Sequence, residues 1–203
     1  MSTADLRIEL LRPKLVEDYL RFFDHERGVA FADNPQWAKC YCHYYHVPKS
    51  MDWQAFDGPA NRVAMGSRIE VGEMEGYLAY AGDDVVGWMN AQPLHKLPHC
   101  WARLEVPRPV SQLPLSMLAA IVCFVIAPAW RRRGVARALL RGGLESLGRR
   151  GIGEVYAYPF KTEGTDSPTA HYHGPEALFR AAGFVAIDAT PDVTIMRRTL
   201  RAA

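Results

Sequence analysis

The stretch IVCFVIAPAWRRRGVARALL, Ile121 to Leu140, decides how the whole chain is read. Its first part belongs to Ala120–Ile126, an unbroken apolar run of strand length, rich in β-branched residues, with the composition of a strand covered on both faces. Pro128 cannot donate to a sheet ladder and marks the strand's end. From Val135 onward, small and apolar residues recur at helical spacing: Ala136, Leu139, Leu140, Gly143 and Leu147. A central strand therefore runs directly into a helix.

The join is Arg131, Arg132, Arg133, Gly134, Val135, Ala136 and Arg137, a basic turn with small residues where the helix begins. A helix start presents unpaired N–H groups and the positive end of the helix dipole, and it holds an anion best where no side chain blocks the approach. Gly134 and Ala136 leave the approach open. Three arginines add charge-assisted donors, so the expected ligand carries several negative charges, most simply a pyrophosphate.

The spacing Arg131-x-x-Gly134-x-Ala136 after a strand ending Val125, Ile126, Ala127, Pro128 resembles the acetyl-coenzyme A signature of the GCN5-related N-acetyltransferase (GNAT) superfamily. Downstream, Ala177 to Phe184 (ALFRAAGF) is similar to that family's second signature, a short helix ending in Gly-Phe before a strand. The resemblance implies an α/β fold: a central mixed, mostly antiparallel, twisted sheet flanked by helices and splayed at the signature strand. It implies an acetyl-CoA-dependent N-acetyltransferase acting on a primary amine of a small molecule, peptide or protein, with acetyl-CoA as co-substrate. It further implies that backbone groups of Phe124, Val125 and Ile126 hold the pantetheine arm, while Arg131 to Arg137 surround the pyrophosphate. A non-catalytic acyl-CoA-binding module is the alternative.

At 203 residues the chain fits one domain, 1–203, with residues 28–75 as an arm on the acceptor side. Its apolar share of 49% and charged share of 23% are ordinary for a soluble protein, and no apolar run has bilayer length. The first residues lack the pattern of a signal peptide, so a cytoplasmic protein is expected. A net charge of +2, with basic residues concentrated at 131–150, argues against nucleic acid as a partner. Cysteines at 40, 42, 100 and 123 do not form a disulfide framework. Family analogy allows a homodimer.

In chain order, Leu6–Leu11 alternates as a half-buried strand, and Val16, Tyr19, Leu20 and Phe23 mark a first helix after Pro13. Residues 28–47 are irregular and aromatic. There Cys40, Cys42, His43 and His46 raise a zinc reading, but Cys-x-Cys is tighter than structural zinc spacings, and no metal is assigned. Trp37 and Tyr41 of this arm, with Trp88 and Asn90, are expected to line the acceptor pocket. Pro59–Met74 reads as a second helix, with Val63, Met65, Ile69 and Val71 as apolar positions among Arg62, Arg68, Glu70 and Glu73. Gly76–Ala81 and Val85–Ala91 read as a hairpin about Gly82, Asp83 and Asp84. Proline breaks up residues 95–118, leaving Trp101–Val106 as an edge strand. Val155–Tyr158 is a short strand, 160–174 a loop, Pro175–Ala182 a helix capped by Gly183, and Phe184–Asp188 and Val193–Arg198 a closing strand pair.

Acetyl transfer needs a base, an oxyanion site and a proton donor for the thiolate. Many family members place a tyrosine donor four residues before the glycine of the second signature, where this chain has Phe179. Tyr172 is the nearest phenol in sequence and is expected to replace it, with water as the alternative. His173 is a candidate proton acceptor. For a base, Glu70, Glu73, Glu75 and Glu105 are equally open.

Overall fold

The computed structural model describes residues 6–24, 29–33, 35–161 and 172–200. Seven strands lie among them: β1 (Leu6–Leu10), β2 (Tyr77–Ala81), β3 (Asp84–Pro93), β4 (Leu118–Ile126), β5 (Glu154–Ala157), β6 (Val185–Ala189) and β7 (Thr194–Thr199). They form one sheet in the order β1-β2-β3-β4-β5-β7-β6. Only β4 and β5 run parallel, as their connection through a helix requires. Their pairing extends from Leu118↔Glu154 to Ile121↔Ala157 and stops. Residues 122–126 of β4 continue without β5, so the sheet splays at this strand.

The helices are α1 (Val16–Phe23), α2 (Gly58–Glu70), α3 (Cys100–Leu104), α4 (Val135–Arg149) and α5 (Glu176–Ala181). Helix α4 lays Leu139, Leu140, Leu144 and Leu147 on one face of the sheet, against Tyr77, Met89, Ile121 and Phe124. Each fully buried leucine contributes about 1.5–3 kcal/mol relative to exposure. A Cβ on Gly143 would stand 2.3 Å from the Met89 methyl, so its absence permits this approach. The opposite face carries α1, α2 and the arm, with Tyr19, Phe23, Met65, Ile69 and Trp88 in one cluster. Strand β4 is buried on both sides because its side chains alternate: Phe124 joins the α4 cluster, while Cys123 and Val125 join the arm cluster.

Two expectations are corrected and a third is refined. Trp101–Val106 is not an edge strand: residues 100–104 are α3, which buries Cys100 and Leu104 at i, i+4 and ends where Glu105 turns left-handed at φ 56°. In α2, Val63 and Val71 point to solvent, 68% and 70% exposed, while Asn61, Met65 and Ile69 face inward. The buried stripe there includes an asparagine, which an apolar pattern cannot find. The hairpin's second strand continues to Pro93, past the expected Ala91. The expected cap at Gly183 has φ +82°, and β7 rather than β6 joins β5. Of the loop 160–174, positions 162–171 lie outside the described residues. No helix among the described residues is long and apolar enough to cross a membrane.

Candidate active site

The basic turn folds as an anion cradle. Gly134 caps α4 at φ +79°, a conformation that favours glycine, and Arg132 two residues earlier is also left-handed at φ 57°. The first hydrogen bond of the helix is Ala138 N–H to Gly134 carbonyl at 3.0 Å, leaving the N–H groups of Val135, Ala136 and Arg137 at the open end. Arg132, Arg133 and Arg137 are exposed around it, with Arg133 over the Trp130 ring at 5.7 Å. Arg131 is committed otherwise. It donates to the Ile126 carbonyl at 3.1 Å and forms a two-pronged ion pair with Asp33 at 2.5 and 3.0 Å, fastening the arm to the end of β4. The same guanidinium lowers the pKa of the Asp33 carboxyl. These residues fit a pyrophosphate, with Arg131 as a brace behind the cradle.

On the arm side of β4 lies a cavity of ≈ 470 Å³. Cys123 and Val125 form its floor, the arm supplies Trp37, Cys40, Cys42 and Tyr44, and Tyr172 closes one wall. Phe23, Phe31, Tyr45 and Trp53 complete it, with Lys39 and Gln54 among its polar groups. Two consecutive residues, Tyr41 and Cys42, are left-handed at φ 45° and 52°. Such strain persists only where the surroundings enforce it. Here Tyr19 donates to the Tyr41 carbonyl at 2.6 Å, and Trp88 donates to the Cys42 sulfur at 3.1 Å. Burial pushes the Cys40 thiol up to about 12. Cys123 is raised well above its ordinary value, first by its hydrogen bond with Cys42 and then by burial.

Tyr172 meets β4 through its backbone: its carbonyl accepts the Phe124 N–H at 2.6 Å. Because Ala127 N–H bonds toward β3, strand alternation turns the Phe124 and Ile126 N–H groups to the splayed edge. The Phe124 N–H is therefore already occupied in this conformation. The Tyr172 ring packs edge-on against Trp37 at 5.5 Å and Phe160 at 5.7 Å, and burial raises its phenol pKa while the Tyr45 hydroxyl acts in the opposite sense.

His173 is buried, and its ring is fixed at both nitrogens. Nδ1 lies 2.9 Å from the Tyr158 carbonyl, which can only accept, so Nδ1 carries the proton. Nε2 then accepts from the Tyr45 hydroxyl at 2.8 Å. Burial pushes the imidazole down to about 3. A ring so held cannot take a substrate proton near neutrality, which corrects its reading as a proton acceptor. It orients Tyr45.

The other sequence candidates fall in different places. Tyr41 does not line the cavity: its hydroxyl donates to Asp24 at 3.0 Å, where Arg62 also donates at 2.7 Å. Trp88 and Asn90 have no exposure and lie in the sheet behind the cavity. None of the four glutamates lines it. Glu70 is exposed on α2, Glu73 pairs with Arg68, Glu105 with Lys49, and buried Glu75 with Lys96 and Arg150. Phe179 packs wholly inside, 6.1 Å from Phe124 and 5.3 Å from Phe184. Cys40 and Cys42 line the cavity, whereas His43 bonds Asn61 at 2.7 Å. Among the described residues no group of three His, Cys, Asp or Glu is arranged to hold a metal ion. The sequence reading missed Trp53, Phe31 and Cys123 as cavity residues. Alternation along β4 was a usable signal for Cys123; the Tyr45–His173 bond, 128 positions apart, had none.

The fold has many solved counterparts. The ribosomal-protein-S18-alanine N-acetyltransferase from Escherichia coli is 13% identical, with TM-score 0.51, covering 98% of this chain and 96% of its own. The PaiA N-acetyltransferase from Thermoplasma acidophilum, solved in complex with coenzyme A, is 11% identical with TM-score 0.53, covering 96% and 98%. A GNAT-family acetyltransferase structure from Desulfovibrio desulfuricans is 14% identical with TM-score 0.54, covering 97% and 99%. At such identities the likeness is one of fold. No curated protein matches the chain. The family model described as "Acetyltransferase (GNAT) family" matches residues 34–173, well over half of the chain, and the chain therefore belongs to the GNAT acetyltransferase family.

Proposed function

We propose that the protein transfers an acetyl group from acetyl-CoA to an amine seated in the arm-side cavity. One observation carries the reading: a single strand, β4, supplies Cys123 and Val125 to the cavity floor and runs on into the Gly134 cradle. An acceptor in the cavity and a thioester along β4 would then meet on opposite sides of one backbone edge. Acetyl-CoA supplies the activated acyl carbon; the chain's own residues bind, orient and move protons. The α4 N-terminus with Arg132, Arg133 and Arg137 would hold the pyrophosphate. The edge N–H groups near Phe124 and Ile126 would face the carbonyl oxygen once the Tyr172 carbonyl gives way. The Tyr172 hydroxyl, on the cavity wall, would protonate the departing thiolate. A cytoplasmic location and a homodimer accord with this reading.

Calorimetry with acetyl-CoA and release of free thiol with a panel of amines test it. The expected result is binding in the wild type, weakened when Arg132 and Arg133 are replaced by Glu; absence of binding at millimolar acetyl-CoA would overturn it. A second reading, a non-catalytic acyl-CoA-binding regulatory module, draws on two observations. Phe179 cannot donate a proton, and the Tyr172 carbonyl occupies the Phe124 N–H. Binding without turnover on any amine would favour it.

A further inference from the structure

Building on the acetyl-transfer reading, we infer that the acceptor is a small aromatic amine, uncharged at neutral pH, with its ring among Trp37, Tyr44 and Trp53 and an anionic substituent facing Lys39. The walls supply the first argument. Tyr44 and Trp53 meet edge to face at 5.3 Å, and Trp37 meets Tyr172 likewise at 5.5 Å, so the cavity is bounded by fixed rings at two sides. Rings in such a frame gain most from a flat aromatic guest. A volume of ≈ 470 Å³ suits a compact scaffold.

Charge supplies the second. Lys39 is the one formally charged side chain among the described residues lining the cavity, and among the described residues its ammonium makes a single long contact, 3.4 Å to Gln54. Cys40 and Cys123 stay protonated near neutrality, as do Tyr45 and Tyr172. An alkylammonium entering here could meet ring faces, but it would lose water with no carboxylate among the described lining residues to pair it and with the like charge of Lys39 nearby. A carboxylate beside the guest's ring would instead pair with Lys39.

Proton accounting supplies the third. His173 is committed to Tyr45 and Tyr158, and no carboxylate among the described residues lines the cavity to strip a proton from an ammonium before attack. An arylamine arrives with its lone pair free, because delocalisation into the ring keeps it unprotonated at pH 7. Its nitrogen forms the N–C bond, the C–S bond breaks with the electron pair leaving on sulfur, and one amine proton is released to solvent. Sulfur takes its proton from Tyr172, which recovers one from solvent, so the sum is amine plus thioester giving amide plus thiol.

The experiment reads thiol release from acetyl-CoA with 4-aminobenzoate, 3-aminobenzoate and aniline on one side, and spermidine and a lysine-containing peptide on the other. The expected kcat/KM for the aminobenzoates exceeds that for spermidine by roughly 10²-fold, as a desolvated, unpaired charge would cost. Lys39→Met is expected to raise the aminobenzoate-to-aniline ratio of KM values about tenfold, and Lys39→Arg to restore it. Preference for spermidine or the peptide would overturn the inference and leave acetyl transfer standing. An unchanged KM ratio in Lys39→Met would overturn the Lys39 pairing, and no turnover with any amine would overturn the transfer reading itself.

Discussion

The two faces of β4 are assembled by different means. On the α4 side, contiguous residues do the work: a strand, a turn and one amphipathic helix place Phe124, Gly134 and the leucines in sequence order. On the arm side, residues from five distant stretches converge on Cys123 and Val125, joined by edge-on aromatic contacts and by the Tyr45–His173 bond. The first face offers a ligand backbone groups that any helix start possesses. The second offers side chains whose placement depends on the entire arm. A ligand common to a whole family suits the first, and a ligand peculiar to this chain suits the second.

The sharpest test of this contrast is Tyr172→Phe, which removes one oxygen from the arm-side wall and leaves the α4 cradle untouched. Turnover is expected to fall roughly 10²- to 10⁴-fold with acetyl-CoA affinity retained, the usual worth of general acid–base catalysis. Steady-state kinetics beside calorimetry checks it, and an unaltered kcat, with chemistry limiting, would leave water as the donor.

Acid is expected to damage the arm face before the α4 face. His173 and His46 are both pushed from 6.5 to about 3 by burial, so below pH 6.5 the unfolded chain takes up protons that the folded chain refuses. Stability is thus full above pH 6.5 and is lost as pH falls toward 3, by about 1.4 kcal/mol per pH unit for each histidine. Urea midpoints between pH 7 and 5 measure the slope, and His173→Gln is expected to reduce it by about one proton.

On the α4 face, Gly134→Val forces a β-branched residue into φ +79° and narrows the cradle. Acetyl-CoA affinity is expected to drop by roughly 10- to 100-fold while the arm cavity is unaffected. Phe179→Tyr tests whether the family's usual tyrosine position is still available. Phe179 has no exposure and sits against Phe124 and Phe184, so a hydroxyl there is expected to cost about 1–3 kcal/mol and to add no turnover. Thermal unfolding and kinetics together decide. The smallest effect belongs to Asp33→Asn, which releases Arg131 from the half-exposed brace between the faces. A loss of about 0.2–1 kcal/mol, shrinking with added salt, is expected in thermal melts.

The sequence alone determined the face built from neighbours. An apolar run, a proline, a basic turn with Gly134 and a leucine stripe constrain one another over some twenty adjacent positions, so their local physics already implies strand, cradle and helix. It also singled out Trp37, for the acceptor, and Tyr172, for the thiol, through aromatic content and through the departure at Phe179; both line the one cavity. Tertiary structure alone decided the rest. Trp88 and Tyr41 looked like pocket aromatics, yet one became sheet core and the other a partner of Asp24, because an aromatic ring serves a core and a cavity equally well by composition. His173 looked free to titrate until burial and two hydrogen bonds fixed its proton. Arg131 looked like a phosphate ligand until Asp33, 98 positions away, claimed it. Burial and long-range pairing decide which of a residue's possible roles it keeps, and both exist only once the arm has closed on β4.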